Sequence, residues 1–171
     1  MKHIILVGFM GCGKTHAGSI LAKELGLPFV DMDEQIVERA RRSITEIFAE
    51  HGEAHFRAIE TEVLKDLLAV REQTVISSGG GVPMQEANLP LLKEGIVVYL
   101  KAPVEVLISR LKNDKARPIL QGGDLREKIT TLLAKRGPIY ESVSDIEVVT
   151  SNGAVEMVVG QIIEKLVEKN G

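Results

Sequence analysis

The chain has 171 residues, of which 44% are hydrophobic and 26% are charged, and this is typical of one soluble globular domain spanning residues 1–171. The formal net charge of −3 disfavours a general nucleic-acid-binding protein, which would ordinarily be basic. The single cysteine excludes an internal disulfide. Because the sequence has no long apolar run and begins directly with the first strand, we expect no membrane span and no signal peptide, and therefore a cytoplasmic location.

The first predicted strand leads directly into a glycine-rich loop and a helix. Residues 4–7 (IILV) are apolar and predict a buried strand, residues 8–15 (GFMGCGKT) match G-x-x-x-x-G-K-[ST], and residues 17–25 are apolar at helical spacing. The glycines allow backbone N–H groups to approach phosphate oxygens at a helix N-terminus. Lys14 would bridge the β- and γ-phosphates, and the Thr15 hydroxyl would bind Mg²⁺. This context makes a chance glycine turn improbable and predicts a nucleoside triphosphate site.

The second predicted strand ends at Asp31, and a second carboxylate, Asp33, lies two residues further on. Residues 29–31 follow a Gly-Leu-Pro stop signal, and a helical pattern covers residues 33–50, with a capping box of Ser43 and Glu46 that splits it into two helices. Gly52 breaks the pattern again, and residues 53–70 predict a long helix.

The remaining predicted elements continue to alternate between strand and helix, which indicates a parallel α/β sheet covered by helices on both faces. In chain order they are a strand at 74–77, a glycine triplet at 79–81, a helix at 85–93, a strand at 96–100, a helix at 103–112, a polar loop at 112–124, a helix at 125–140 interrupted near 137–138, a strand at 146–149 and a helix at 155–169.

Ligands of open parallel sheets bind beyond the carboxyl ends of the strands. There Asp31 could reach Mg²⁺ through water and Asp33 could accept a proton from a substrate hydroxyl, although Asp33 could instead only cap the next helix. The triplet at 79–81 favours close approach of the backbone to a ligand, with a plain turn as the alternative. Cys12 within the loop is interpreted as a small filler residue rather than a reactive thiol.

Three arginines are candidates for contacts with anionic groups. Arg57 follows Phe56 near the start of the long helix and Arg136 lies near the end of another, but spacing alone does not separate them from solvated surface arginines. Arg117 lies in the polar loop, which we interpret as a lid that folds over phosphates.

The ordered set of motifs resembles the shikimate kinase family over nearly the whole chain. The matching segments are residues 8–15, 31–33, 43–48, 52–53, 56–60, 79–81, 117–120 and 136–140. The resemblance implies a P-loop, nucleoside monophosphate kinase-like three-layer α/β fold, with a five-stranded parallel sheet in the order 2-3-1-4-5, flanking helices, a substrate-binding region at about 32–60 and a lid at about 112–124. It implies Mg²⁺-assisted phosphorylation of the 3-hydroxyl of shikimate by ATP, in the chorismate and aromatic amino-acid pathway, by a monomer without nucleic-acid or membrane partners.

The resemblance also assigns roles to residues. Catalysis is expected from Lys14, Asp33 and Arg117. ATP is expected to contact Gly11, Cys12, Gly13, Lys14, Thr15, His16, Arg110, Arg117 and Asn152. Shikimate is expected to contact Asp33, Arg57, Gly79, Gly80, Gly81 and Arg136. Mg²⁺ is expected at Thr15 and, through water, at Asp31.

Three departures from expected patterns and two rival functions accompany this interpretation. The family often has a glycine near Arg41, so the helix junction there is expected to differ, and residues 16–18 (HAG) are less usual than the common Thr-Val-Gly. The third strand lacks the acidic residue that many P-loop enzymes keep at its end, a task that Asp31 could take over. One rival is another small-molecule P-loop kinase, such as a gluconate kinase, which has no need for two arginines together with the glycine triplet. The other is a switch that binds ATP without an acceptor.

Overall fold

The computed structural model describes residues 1–114, 120, 122–151 and 153–170. Five strands form one sheet with the spatial order β2-β3-β1-β4-β5, and every pairing in it is parallel. The strands are β1 (Ile4–Val7), β2 (Phe29–Asp31), β3 (Val75–Ser77), β4 (Ile96–Lys101) and β5 (Ile146–Val149). The predicted strand order is therefore confirmed.

Helices cover both faces of this sheet, as the burial of its central strands requires. They are α1 (Lys14–Leu25), α2 (Met32–Ala40), α3 (Ile44–Leu68), α4 (Leu89–Leu92), α5 (Val104–Leu111), α6 (Leu125–Val143) and α7 (Val155–Asn170). Gly18 of α1 lies so close to Leu6 that a Cβ there would be 2.9 Å from its side chain. Val7, which follows Leu6 in β1, is paired with Tyr99 of β4. The Tyr99 ring packs against that of Tyr140 in α6, with ring centroids 5.2 Å apart. Because successive strand residues point to opposite faces, α1 and α6 lie on opposite sides and the fold has three layers.

The region after β3 differs from its predicted helix at 85–93. Two 3₁₀ turns, Val82–Met84 and Glu86–Asn88, precede the four-residue α4. Pro90 lacks an N–H and is best tolerated in the first turn of a helix, which favours a helix that begins at Leu89 over one that begins at 85. Asn88 holds the turns in place, because its side chain donates to the Val82 carbonyl at 2.9 Å and accepts from the Thr61 hydroxyl at 2.8 Å.

Three other predicted helix breaks have different outcomes. The capping box is confirmed: the Glu46 N–H donates to Ser43 Oγ at 3.1 Å, and Glu46 Oε1 accepts from the Ser43 N–H at 3.5 Å. Gly52 has φ 82° and ψ 173° and kinks α3, as predicted. The interruption near 137–138 is wrong, since α6 continues through Pro138 to Val143. We attribute this to buried anchors on both sides of the proline, Arg136 and Tyr140, which outweigh one missing backbone hydrogen bond.

The junction between α2 and α3 places an arginine in the left-handed region. Arg41 has φ 54° and ψ 36°, and its N–H donates to the Val37 carbonyl at 2.8 Å to close α2. Glycine is the usual residue at such a helix end because it has no Cβ to clash with the backbone. The junction was expected to differ because it lacks this glycine, but Arg41 adopts the left-handed conformation that glycine usually provides at a helix end.

The predicted lid at about 112–124 lies partly outside the described residues, and its Arg117 is one of the residues not described. Asn152, in the loop after β5, also lies outside the described residues. On the far side of that gap Gly122 and Gly123 both have φ 75°. Among the described residues, no helix is long and apolar enough to cross a membrane.

Candidate active site

The glycine loop after β1 requires glycine for steric reasons. A Cβ on Gly8 would lie 2.7 Å from the Leu100 carbonyl oxygen and 2.8 Å from the Cys12 sulfur, and Gly11 and Gly13 have φ of 81° and 95°. Gly13 is the N-cap of α1 and contributes no side-chain cap, so the first N–H groups of that helix are available to an anion. Cys12 is buried, as its interpretation as a filler residue requires.

Lys14 is held within this loop. Its side chain is 8% exposed, and Nζ donates to the Gly8 carbonyl at 2.7 Å and to the Phe9 carbonyl at 3.1 Å. These bonds keep a buried ammonium group beside the backbone that would surround the phosphates, which suits a charge that stabilises a phosphoryl group.

Three side-chain oxygens meet where α1 begins beside the ends of β2 and β3. The Thr15 hydroxyl donates to Asp31 Oδ2 at 2.6 Å and lies 3.4 Å from the Ser77 hydroxyl. Asp31 Oδ1 also accepts from the N–H groups of Asp33 and Glu34, so Asp31 is the N-cap of α2. The alternative that Asp33 only caps this helix is therefore wrong. Carboxylate and hydroxyl oxygens are the ligands that Mg²⁺ prefers, and this donor set fits that ion.

Two cavities adjoin each other at the carboxyl ends of the strands. One, which we call the P-loop cavity, has a volume of about 520 Å³ and includes residues 10–17 in its lining. The other, which we call the acceptor cavity, has a volume of about 530 Å³ and is lined by α2, α3, the glycine triplet and Arg136. The residues that line both are Met10, Asp33, Gly79 and Gly80. A group bound in one cavity would therefore meet a group bound in the other across Asp33.

The glycine triplet is packed too closely for side chains. A Cβ on Gly79 would lie 2.7 Å from Glu60 Oε2, and one on Gly81 would lie 2.7 Å from the Arg57 guanidinium carbon. The triplet is therefore a site where other groups come close to the backbone, as predicted, and not a plain turn. The groups that come close here are the side chains of Glu60 and Arg57, whereas the prediction named a ligand.

Arg57 is fixed in the acceptor cavity by two carboxylates. Its Nη1 donates to Glu60 Oε1 at 2.9 Å and its Nη2 donates to Glu53 Oε1 at 3.4 Å. Burial raises the pKa of Glu60, which is 1% exposed, while the positive charge of Arg57 opposes that rise. Among the described residues, Arg57 Nε is buried and has no acceptor.

Arg136 lines the same cavity from α6. Its side chain is 8% exposed, and its guanidinium carbon lies 6.0 Å from the centroid of the Phe9 ring. Within the described part of the chain, its Nη1 is buried without an acceptor. Two guanidinium groups in one cavity thus each carry a buried N–H group that an anionic ligand could satisfy.

An apolar wall faces these charges. Val37, Ile44, Phe48 and Phe56 line the acceptor cavity, and the two phenylalanine rings lie 4.9 Å apart. The cavity is therefore suited to a small molecule with an anionic end and an apolar face.

Arg110 and His16, two of the expected nucleotide contacts, both lie at the P-loop cavity. Arg110 Nη1 donates to the Gly11 carbonyl at 3.0 Å and Nη2 donates to the Ser151 carbonyl at 3.2 Å, so it joins the glycine loop to the loop after β5. His16 lines the P-loop cavity. Asn152 and Arg117, the other expected nucleotide contacts, lie outside the described residues.

Glu60 had no predicted role, although the sequence contains a signal for one. Glu60 follows Arg57 by three residues, the spacing at which helical side chains pair. It also lies in register with Phe56, Val63 and Leu64, all buried, so a carboxylate on the buried stripe of α3 indicated a charged partner.

Comparisons with known proteins place this geometry in context. The family model described as shikimate kinase matches residues 10–167. A shikimate kinase of Nostoc punctiforme is 41% identical over 163 residues, covering 95% of this chain and 89% of the relative. A solved structure, shikimate kinase from Acinetobacter baumannii in complex with shikimate, superposes with a TM-score of 0.95 at 39% identity and covers 99% of this chain and 94% of that one.

A gluconokinase from Sinorhizobium meliloti is also similar in structure. Its TM-score is 0.63 at 19% identity, covering 98% of this chain and 92% of that one. This similarity shows a common fold and carries no statement about the acceptor.

Proposed function

The chain belongs to the shikimate kinase family, and from that premise we propose that it transfers the γ-phosphoryl group of ATP to the 3-hydroxyl of shikimate. The products are ADP and shikimate 3-phosphate, an intermediate of the chorismate and aromatic amino-acid pathway. The observation that carries the proposal is the pair of buried guanidinium N–H groups, on Arg57 and Arg136, in a cavity that shares a wall with the P-loop cavity.

The chemistry of shikimate suits the acceptor cavity. Its carboxylate can accept charge-assisted hydrogen bonds from the two guanidinium groups, which present planar arrays of donors. Its ring has apolar faces that can pack on the wall formed by Phe48, Phe56 and their neighbours. In this proposal the glycine triplet provides the backbone that closes the cavity next to the transferred group.

Asp33 is proposed to act on the acceptor hydroxyl. It lies on the shared wall, where the nucleophile and the γ-phosphoryl group must meet. Its carboxylate orients the hydroxyl and accepts its proton as the new oxygen–phosphorus bond forms and ADP leaves. The transferred phosphoryl group therefore stays on the shikimate oxygen, and the proton passes to the protein.

The charge on the transferred group is proposed to be stabilised by the glycine loop. Lys14, the N–H groups at the start of α1 and Arg117 are the groups assigned to this task. Thr15 and Asp31 would hold Mg²⁺, which when bound neutralises part of the charge on the phosphates. Catalysis is then mainly a matter of positioning and charge stabilisation.

Three further properties are proposed on the resemblance to the family. We propose that residues 1–171 act as one kinase domain, that the protein is a monomer, and that it works in the cytoplasm.

The proposal is tested by incubating the protein with ATP, Mg²⁺ and one acceptor at a time and measuring ADP formation. Shikimate should support turnover, whereas gluconate and a reaction without acceptor should not. Lys14→Ala serves as the inactive control, because it removes the phosphate-binding charge. Turnover with gluconate alone would identify the rival kinase, and ATP binding with no turnover on either acceptor would identify a switch.

A further inference from the structure

Tyr140 is a buried side chain that the proposed mechanism does not use. It lies on α6 one turn after Arg136, is 0% exposed, and donates from its hydroxyl to the Gly80 carbonyl at 2.6 Å. Its ring stacks on that of Tyr99. The hydroxyl thus reaches from the helix to the glycine triplet on the wall of the acceptor cavity.

This hydrogen bond fixes the direction of one peptide group. In a trans peptide the C=O of residue 80 and the N–H of residue 81 point in opposite directions, and the described residues contain no cis peptide bond. Since the Gly80 oxygen points toward Tyr140, the Gly81 N–H points away from it. No described residue accepts a hydrogen bond from that N–H, and Gly81 lines the acceptor cavity.

The same hydroxyl lies beside the Arg136 guanidinium. A Cβ on Gly80 would be 3.5 Å from Arg136 Nη1, so the triplet and the guanidinium are in close contact. Burial raises the pKa of the Tyr140 phenol, and the charge of Arg136 opposes that rise. A neutral phenol keeps its proton and so remains a donor to Gly80 at physiological pH.

We propose that Tyr140 is a positioning residue for the acceptor. Its hydroxyl holds the Gly80–Gly81 peptide so that the Gly81 N–H points away from α6 and toward the acceptor cavity, which Gly81 lines together with Arg57. In this position the N–H can bind an oxygen of the acceptor. The continuity of α6 through Pro138 matters here, because it keeps Arg136 and Tyr140 four residues apart on one helical face. The assignment of shikimate as that acceptor rests on the proposed function.

The test compares two variants that each remove one oxygen atom from the same stacked pair. Tyr140→Phe should raise the KM for shikimate about tenfold, the effect of losing one hydrogen bond, and leave the KM for ATP within about twofold. Tyr99→Phe is the matched control, because its side chain stacks on Tyr140 without lining either cavity, and it should change neither constant. A shikimate KM within about twofold of wild type in Tyr140→Phe would overturn the proposal.

A general structural role would give a different pattern. If Tyr140→Phe lowered the affinities for shikimate and ATP equally, with a fall in Tm, the positioning role would be wrong. A measurement on the unaltered protein covers the case in which the variant does not fold. The amide signal of Gly81 in an NMR spectrum should shift when shikimate is added, and an unchanged signal at saturation would contradict the proposal.

Failure of this inference is distinguishable from failure of the proposed function. The wild-type assay with shikimate decides the function before any variant is compared. If the wild-type enzyme phosphorylates shikimate and the Tyr140→Phe variant has an unchanged KM for shikimate, only the role of Tyr140 is refuted. A wild-type enzyme inactive on shikimate would refute the proposed function, and the Gly81 amide response to shikimate would then decide the positioning role.

Discussion

At the scale of single residues, two neighbouring carboxylates of the site have different surroundings. Asp31 is occupied by the Thr15 hydroxyl and by the first N–H groups of α2, whereas Asp33 lies on the wall between the two cavities. The difference follows from the helix start, because the extended conformation of Asp31 turns its side chain back over the N-terminus. Asp33, which does not cap the helix, borders both cavities.

This division predicts the effect of Asp33→Asn. The variant keeps the shape of the side chain but cannot accept the acceptor's proton, so kcat should fall by about 10²–10⁴-fold, the usual contribution of a general base. The affinity for ATP should remain nearly unchanged in a direct binding titration. A loss of ATP binding with shikimate binding intact would contradict the acceptor-side role.

Glu60 predicts a dependence of stability on pH. Its pKa in the folded protein is raised above the ordinary value of 4.5, chiefly by burial, so the folded state binds the proton more tightly than the unfolded state does. The contribution of this group to stability is therefore fully present below about pH 4.5 and is lost as the pH rises through the raised value.

The Glu60→Gln variant isolates this contribution because glutamine does not titrate. Denaturant unfolding at pH 5 and pH 8 should show that the variant gains stability relative to wild type as the pH rises. At pH 8 its KM for shikimate should be higher, since Arg57 loses a charged partner. An identical stability difference at both pH values would contradict the assignment.

At the scale of elements, the junction between α2 and α3 stores backbone strain. Arg41 is the only described residue other than glycine with a positive φ. The left-handed conformation costs a residue with a Cβ roughly 1–2 kcal/mol, and part of that cost is recovered here by the bond that closes α2.

Arg41→Gly should therefore stabilise the fold. Relief of strain exceeds the added flexibility of the unfolded chain, and we expect a gain of about 1 kcal/mol, or a Tm higher by about 2–4 °C. Arg71→Gly is the matched control, since Arg71 is also exposed but its φ is not positive. The control should be neutral or destabilising; equal gains in both variants would show that strain at Arg41 is not the cause.

The lid is the other element whose behaviour is predicted. We expect a change in residues 112–124 when ATP and shikimate bind together, because closure that waits for the acceptor would exclude water and prevent hydrolysis of ATP. Arg117→Ala should lose ~10²–10⁴-fold in kcat, by analogy with other arginines that stabilise a transferred phosphoryl group. Arg117→Lys should recover only part, since an ammonium group lacks the planar donor array.

Hydrogen exchange across the segment, with and without both substrates, measures the motion directly. Equal exchange in both states together with a fully active Arg117→Ala enzyme would remove the lid from the mechanism.

At the scale of the whole molecule, local patterns predicted more of the fold than of the acceptor cavity. β1 has its predicted bounds because a buried parallel strand leaves a short apolar run in the sequence. The glycine loop is likewise contiguous, so its motif was sufficient. The helix predicted at 85–93 failed because Pro90 favours a later helix start and because Asn88 bonds to Val82 and to the distant Thr61.

The acceptor cavity is assembled from segments that are distant in sequence. Arg57 and Arg136 could not be separated from surface arginines by spacing, because their burial depends on Glu60, the glycine triplet and α6 together. Only the resemblance to a family identified them. The role proposed for Tyr140 was hidden for the same reason, since its partner lies 60 residues away.

The wall shared by the two cavities has a consequence for inhibitor design. Met10, Asp33, Gly79 and Gly80 border both cavities. One inhibitor could therefore fill both cavities with two groups joined by a linker of only a few atoms. Once its nucleotide-like half is bound, the second half would experience an effective concentration in the millimolar range, as short linkers generally provide. Such a bisubstrate compound would engage the glycine loop and the paired arginines at once, a combination that neither half alone can address.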